Sequence, residues 1–260
     1  MLALTTRNVA LLGLATIASA CASTSRFEGM DADQIYRMAE QDFADGDFKD
    51  AAEAFDRILI AFPSYAQIAE ANFLLGQALY NSKQFITSAS EFTRFLGAYP
   101  AHPRAPEAAL GVCKSNEALS PHYQRDQTFT QQAVLVCQNV ANDYLGTEMG
   151  TEAGEIAIAM RDKLARKAYE GGMYYYRRGA WDSSVINFED VVDEFPGTEW
   201  APRALKGIMD AYTQIGYADE VESARSRLLR LYPDSPEAQE VIAAQNNGGG
   251  GLTTSGGIPQ

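Results

Sequence analysis

A five-position pattern of large and small side chains recurs along this chain and constrains its fold more than any other feature. In its clearest copy, WDSSVINFEDVVDEFP, the positions are Trp181, Ser184, Phe188, Val191 and Pro196, at steps of 3, 4, 3 and 5 residues. Steps of three and four return to one face of a helix, and proline ends a helix. The small second residue lets a neighbouring helix come close. Each copy is therefore predicted to be one helix with a single apolar stripe.

Further copies follow the same steps on both sides of this one. They are Phe48, Ala51, Phe55, Ile58 and Pro63; Phe85, Ser88, Phe92, Phe95 and Pro100; Thr130, Ala133, Cys137, Val140 and Leu145; and Ala218, Val221, Arg225, Leu228 and Pro233. A second amphipathic segment precedes each copy, and Gly46, Gly179 and Gly216 mark turns between the two segments. This arrangement resembles the tetratricopeptide repeat. The chain is predicted to be an all-α tetratricopeptide-repeat solenoid of about five helix-turn-helix repeats. An irregular helical bundle is the alternative.

The first residues of the chain have the layout of a signal peptide. In residues 1–20 the only charge is Arg7, and residues 9–17 are apolar or small, a run too short to span a membrane. The segment ends in Ala-Ser-Ala-Cys, which resembles a bacterial lipobox, although alanine stands where leucine is usual. Cys21 is therefore predicted to be the lipidated N-terminus of the mature chain. An ordinary signal peptide cleaved after Ala20 is the alternative.

Composition divides the rest of the chain into segments. Residues 21–30 lack periodicity and are predicted to be a lipid tether. Residues 245–260 are rich in glycine and polar residues and are predicted to be a disordered tail. Residues 31–146 are predicted to contain repeats 1–3. Residues 147–244 are predicted to contain repeats 4 and 5 together with a long helix, or two nearly collinear helices, over residues 147–180.

The net charge argues against two classes of partner. The chain has 34 acidic and 21 basic residues and a formal charge of −13, which becomes −14 when Arg7 is removed with the signal peptide. Such a surface repels the phosphates of nucleic acid. It also disfavours attachment to anionic lipid through basic side chains. We expect membrane attachment through the lipid anchor only, and no nucleic acid partner.

Residues able to support catalysis are scattered. His102 and His122 each stand alone in proline-flanked loops, without the spacing of a zinc site. No Gly-x-Ser-x-Gly elbow occurs, and the glycine run near the end precedes no helix. The acidic run at 189–194 has helical spacing without a calcium-loop glycine, so a solvated face is predicted. The chain is predicted not to be an enzyme and to need no cofactor or metal.

Two cysteines remain once Cys21 is assigned to the lipid. In the repeat register Cys113 falls at the small position where the first helices pass closest to their partners, and Cys137 falls at the large position of a second helix. The two sulfurs should therefore face the same seam between paired helices. A disulfide and a pair of buried free thiols are both compatible with this register.

An insertion lengthens the third repeat between its two helices. It reads SPHYQRDQTFT over residues 120–130. Arg125, Asp126 and Gln127 within it have no predicted core role. Bracing of the loop and contact with a substrate or partner are equally compatible with these residues. Loops at repeat tips often lie on the binding face of a solenoid.

Three phrases, together with the lipobox and the repeats, resemble the BamD family, the tetratricopeptide lipoproteins of the β-barrel assembly machinery. They are SPHYQRDQT, YYYRRGAWDSSVINFEDVVDEFP and ALKGIMDAY, within about residues 28–240. The resemblance implies an anchor on the periplasmic face of the outer membrane, which the alanine after the lipobox cysteine favours because aspartate there tends to retain lipoproteins in the inner membrane. A repeat lipoprotein that organises cell-wall or division factors is the alternative.

The resemblance also implies partners and two working surfaces. The C-terminal repeats would dock the POTRA domains of the barrel-forming subunit, and the N-terminal repeats would receive extended signals of unfolded outer membrane protein substrates. Accessory lipoproteins would bind as well. The expected residues are Arg178, Trp181, Arg203 and Lys206 for docking, and Tyr36 and Phe43 for the substrate groove. Trp181 is also the large residue of its own repeat.

Overall fold

A computed structural model describes residues 26–248, which form eleven α-helices and no strand. The helices are α1 (Ala32–Asp45), α2 (Phe48–Ala61), α3 (Ile68–Asn81), α4 (Phe85–Ala98), α5 (Ala105–Leu119), α6 (Thr128–Asp143), α7 (Glu148–Tyr176), α8 (Trp181–Glu194), α9 (Trp200–Ile215), α10 (Ala218–Leu231) and α11 (Pro236–Gly248). The predicted signal peptide, Cys21 and most of the predicted tail lie outside these residues.

The helices stack as a solenoid. Each helix from α1 to α10 packs on the next one along the chain, and the first helices of successive repeats also touch, in the pairs α3–α5, α5–α7 and α7–α9. The odd-numbered helices therefore line one side of the stack. This arrangement confirms the predicted all-α tetratricopeptide-repeat solenoid.

The long helix α7 joins the two halves of the stack. It runs without interruption for 29 residues, so the sequence pattern over 147–180 folds as one helix rather than two. It packs on α5 and α6 near its start and on α8 and α9 farther along. Thr147 caps its first turn, because the Thr147 hydroxyl accepts a hydrogen bond from the backbone N–H of Gly150 at 3.1 Å.

The repeated stripe forms the core. Phe55, Phe95 and Phe188 have no exposed surface, and Phe92 is also buried. The fifth copy departs from the pattern: Arg225, which stands at the large position, is only half-buried, and Ala224 is buried beside it. An arginine cannot fill the core without burying its charge, so the Arg225 guanidinium pairs with Glu222 at 3.0 Å and the small Ala224 takes the core contact.

A disulfide joins the two helices of the third repeat. Cys113 of α5 and Cys137 of α6 are bonded at 2.06 Å, with Cα atoms 4.8 Å apart. Both cysteines are completely buried. Of the two arrangements compatible with the repeat register, the structure contains the bridged one.

The last helix differs from expectation. α11 ends at Gly248, beyond the predicted start of the tail at residue 245. Its packing explains this: Ala238 and Val241 are buried, and α11 contacts α9 and α10. A short helix becomes stable when it covers the apolar face of its neighbours.

Candidate functional site

A cleft of about 560 Å³ opens on the side of the stack formed by the odd-numbered helices. Its apolar lining includes Phe43 of α1, Tyr80 of α3, Leu110 of α5 and Met149 of α7. Four consecutive repeat units thus contribute to one elongated surface. Clefts with an apolar lining and a few polar groups are the usual form of a binding site.

Polar groups surround this apolar lining. Lys114 of α5 and Glu152 of α7 form an ion pair at 2.6 Å across the cleft wall. Gln77 and Asn81 of α3 also line the cleft, and within residues 26–248 neither side-chain amide has a hydrogen-bond partner. Such amides can bond to the backbone of an extended peptide, which carries its own unpaired N–H and C=O groups.

The predicted groove residues separate in the structure. Phe43 lines the cleft and also packs edge-on against Phe48, with ring centroids 5.3 Å apart. Tyr36 does not line it: the side chain is only 5% exposed and packs on Phe55 and Tyr65. Burial, with the nearby Glu40 charge, raises the pKa of Tyr36 to about 12. The expectation that Tyr36 faces a ligand is therefore wrong, because Phe55 of α2 and Tyr65 of the loop before α3 pack against its ring.

The inserted loop is braced from within. Gln127 is 5% exposed, and its side-chain amide donates to the carbonyl oxygens of His122 and Arg125 at 3.0 and 3.1 Å. The Asp126 carboxylate accepts from Thr128, and these hydrogen bonds lower the pKa of Asp126. Gln127 and Asp126 thus hold the loop together, whereas the guanidinium of Arg125 is exposed.

Two of the predicted docking residues hold α11 in place. The Nε of Arg203 lies 3.5 Å from a Glu237 oxygen, and the Nζ of Lys206 lies 3.5 Å from a Glu240 oxygen. Arg203 also stacks over the Trp200 ring at 4.7 Å. These side chains line a cleft of about 310 Å³ between α7, α9 and α11. Both cations are therefore already paired within the chain.

The other two docking residues lie at the turn between α7 and α8. Trp181 is half-buried and packs edge-on against Tyr176, with ring centroids 5.0 Å apart, and Tyr176 lines the same cleft as Arg203. Arg178 lies elsewhere: its guanidinium stacks 3.4 Å from the centroid of Tyr174, which is 50% exposed. Arg203 and Lys206 thus line one cleft, Trp181 lies behind its Tyr176 wall, and Arg178 lies on an exposed aromatic patch.

Neither histidine belongs to a cluster of ligands. His102 packs edge-on against Phe95, and His122 contacts Tyr123. The described part of the chain holds no group of three or more His, Cys, Asp or Glu residues placed to bind a metal ion. In the acidic run Glu189 accepts two hydrogen bonds from Arg227, at 2.7 and 2.8 Å, so this part of the run is an ion pair rather than a solvated face.

The cleft residues on α3 and α5 were missed at the sequence level. Gln77, Tyr80 and Asn81 recur at i, i+3 and i+4, and Leu110 and Lys114 stand four residues apart, which places each set on one helical face. A search for a second face on the first helix of each repeat would have found them. Among residues 26–248, no helix combines the length and apolarity needed to cross a membrane.

Comparison with known proteins gives consistent matches. The family model described as YfiO, outer membrane lipoprotein, matches residues 28–228. The chain is 24% identical over 222 residues to the outer membrane protein assembly factor BamD of Caulobacter vibrioides, covering 82% of this chain and 72% of that protein. It is 27% identical over 245 residues to the putative outer membrane protein assembly factor BamD of Aquifex aeolicus, covering 89% and 79%. A thermophilic TPR protein of Thermus thermophilus is a solved neighbour at 15% identity, with 84% of this chain and 100% of that chain covered and a TM-score of 0.33.

Proposed function

The chain belongs to the YfiO family of outer membrane lipoproteins, and we propose that it acts as an outer membrane protein assembly factor. In this role it is a scaffold without enzymatic activity, held on the periplasmic face of the outer membrane by a lipid on Cys21. It receives unfolded substrates at one end and docks the barrel-forming subunit at the other. Related proteins that carry the name outer membrane protein assembly factor support this role.

The cleft between the odd-numbered helices is the proposed substrate site. The observation that carries the proposal is its combination of an apolar lining with two unpaired amides, Gln77 and Asn81, along several repeats. An extended segment of an unfolded barrel protein alternates apolar and polar side chains and leaves its backbone unpaired. Its apolar side chains would enter the pocket beside Leu110 and Met149, and its backbone would bond to the amides.

The C-terminal repeats are the proposed docking surface for the POTRA domains of the barrel-forming subunit. The exposed stack of Arg178 on Tyr174 supports this surface, because arginine and tyrosine are frequent anchors in protein interfaces. Arg203 and Lys206 are already paired with carboxylates of α11. A partner that binds these cations must compete with those carboxylates, so it has to offer carboxylates of its own. Accessory lipoproteins complete the proposed set of partners.

Photo-crosslinking in the cell envelope tests both surfaces. A photoreactive phenylalanine at Tyr80 should crosslink to unfolded outer membrane proteins, and one at Trp181 should crosslink to the barrel-forming subunit. The matched control is Ile60 of α2, which is 69% exposed and is not a lining residue of the cleft. Mass spectrometry identifies the products. Equal crosslinking at 60 and 80, or capture of cell-wall or division proteins in place of these partners, would contradict the proposal.

A further inference from the structure

A second cleft carries positive charge on this strongly acidic chain. It has a volume of about 540 Å³ and lies between the loop joining α5 to α6 and the middle of α7. Its lining includes His122 and Tyr123 of the loop and Lys163 and Arg166 of α7, together with the carboxylate of Asp162. We call it the basic cleft.

The cations of the basic cleft lack ion-pair partners. Within residues 26–248, no carboxylate oxygen lies within 4 Å of the charged nitrogens of Lys163, Arg166 or the adjacent Lys167. Asp162 lines the cleft without pairing to them, and the Asp126 carboxylate accepts from Thr128, which lowers the pKa of Asp126 more than the nearby Lys167 charge does. The cluster is notable on a chain with 34 acidic and 21 basic residues, where carboxylates are in excess.

The same side chains are held in position by neutral groups. The Lys163 ammonium donates to the Ser120 hydroxyl at 2.8 Å, and the Lys167 ammonium donates to the carbonyl oxygen of Arg125 at 2.6 Å. The Arg166 guanidinium lies 4.1 Å from the centroid of the Tyr123 ring. A stacked guanidinium keeps its N–H edge free for a bidentate acceptor. Because the side chains are ordered before binding, a ligand loses little affinity to their immobilisation.

We propose that the basic cleft binds a carboxylate side chain from an acidic segment of a partner protein. Arg166 makes the bidentate contact, Lys163 supplies the second charge, and the Tyr123 ring forms an apolar wall. A protein carboxylate fits better than an anionic membrane, because three cations fall short of the clusters of about four to eight that bind anionic lipid. The net charge of −13 also repels such a membrane, whereas a single side chain entering a concave site meets mainly the local positive field.

Fluorescence anisotropy with the purified full-length chain in detergent tests the site. The probe is a fluorescein-labelled, amidated Gly-Ser peptide that carries two adjacent glutamates, and the control peptide has glutamines in their place. The wild type should prefer the glutamate peptide. Arg166→Gln should weaken its binding about tenfold, which corresponds to the loss of one charge-assisted bidentate contact. Arg166→Lys keeps the positive charge but lacks the two parallel N–H donors of a guanidinium, so it should cause a smaller loss of affinity.

The matched control is Arg57→Gln, which removes one exposed arginine of α2 that forms no ion pair within the described residues. It should change the affinity by less than about twofold. An equal loss in both variants, or no preference of the wild type for glutamate, would overturn the proposal. Loss of binding to phosphatidylglycerol vesicles in Arg166→Gln, with peptide binding unchanged, would also overturn it in favour of a lipid. The barrel-forming subunit is absent, so the outcome is independent of the assembly role.

Discussion

Two phenylalanine rings show how single residues determine the spacing of the repeats. Phe188 of α8 is fully buried between Gly172 of α7 and Gly207 of α9, and Phe92 of α4 is enclosed in the same way by glycines of α3 and α5. A Cβ atom added at Gly207 would lie 2.7 Å from a carbon of the Phe188 ring. The glycines are needed for close approach of the helices rather than for their backbone conformation.

Gly207→Ala should destabilise the fold although alanine favours a helix. The gain in helix propensity is about 1 kcal/mol, whereas overpacking a rigid core costs about 1–3 kcal/mol. The control is Gly154→Ala in α7, where the added Cβ would meet Ala141 at an ordinary 3.7 Å, so this variant should be more stable than the wild type. Urea denaturation measures both. Stabilisation by both substitutions would show that the Phe188 ring can move aside.

The disulfide is the main covalent constraint on a helix pair in the described part of the chain. It links α5 to α6 across a sequence separation of 24 and encloses the inserted loop. The loop lines the basic cleft, and Lys163 and Lys167 of α7 bond to it. The bridge therefore supports the element that positions Tyr123 and Ser120.

Removal of this bridge should lower the free energy of unfolding. With Cys113→Ala and Cys137→Ala combined, the loss should be about 3 kcal/mol, because the unfolded chain regains the freedom that the closed loop removes. Urea denaturation with and without reductant checks it. Reductant should shift the wild type toward the double variant and leave the double variant unchanged. A wild type that is insensitive to reductant, with both thiols open to alkylation after unfolding, would contradict the bridge.

The helix α11 covers two cations of α9, Arg203 and Lys206. It lies outside residues 28–228, which match the family model, and its carboxylates pair with Arg203 and Lys206. Glu237 and Glu240 stand three residues apart, as do Arg203 and Lys206, so both ion pairs form along one contact line between the helices. α11 thus occupies part of the surface proposed for docking.

At the scale of the whole molecule, the proposed attachment to the membrane depends on one residue, Cys21. No helix within residues 26–248 could cross a bilayer, and Cys21 lies outside them. Two or three acyl chains on this cysteine would hold the chain firmly, at roughly 0.8 kcal/mol per buried methylene. The acidic net charge, which is −14 once the signal peptide is removed, would repel the solenoid from an anionic surface.

Cys21→Ala should abolish acylation and release the mature chain into the soluble periplasm. Membrane fractionation measures the release, and mass spectrometry of the wild-type N-terminus checks the modification. Ala22→Ser is the control, because it retains the cysteine and should remain in the membrane fraction. An unmodified Cys21 in the wild-type chain would exclude the lipid anchor.

The repeat pattern by itself determined the helices and their buried stripes. Phe55, Phe92 and Phe188 return to one helical face through local spacing, and that geometry depends on few distant contacts. The register also placed Cys113 and Cys137 at one seam, because paired helices of adjacent sequence must face each other. Helix faces and the pairing of successive helices depend on residues close together in the sequence, so the sequence alone specifies them.

Only the tertiary structure decided which faces remain open. Tyr36 is buried because Phe55 of α2 and Tyr65 of the following loop pack on its ring. Lys114 meets Glu152 because α7 passes beside α5, and Arg203 is paired because α11 folds back on α9. Each of these outcomes depends on the angle at which successive repeats stack, and that angle follows from side-chain packing summed over many residues. The spacing of residues in the sequence determines which of them share a helix face. The stacking angle determines whether that face meets a neighbouring helix, a cleft or solvent.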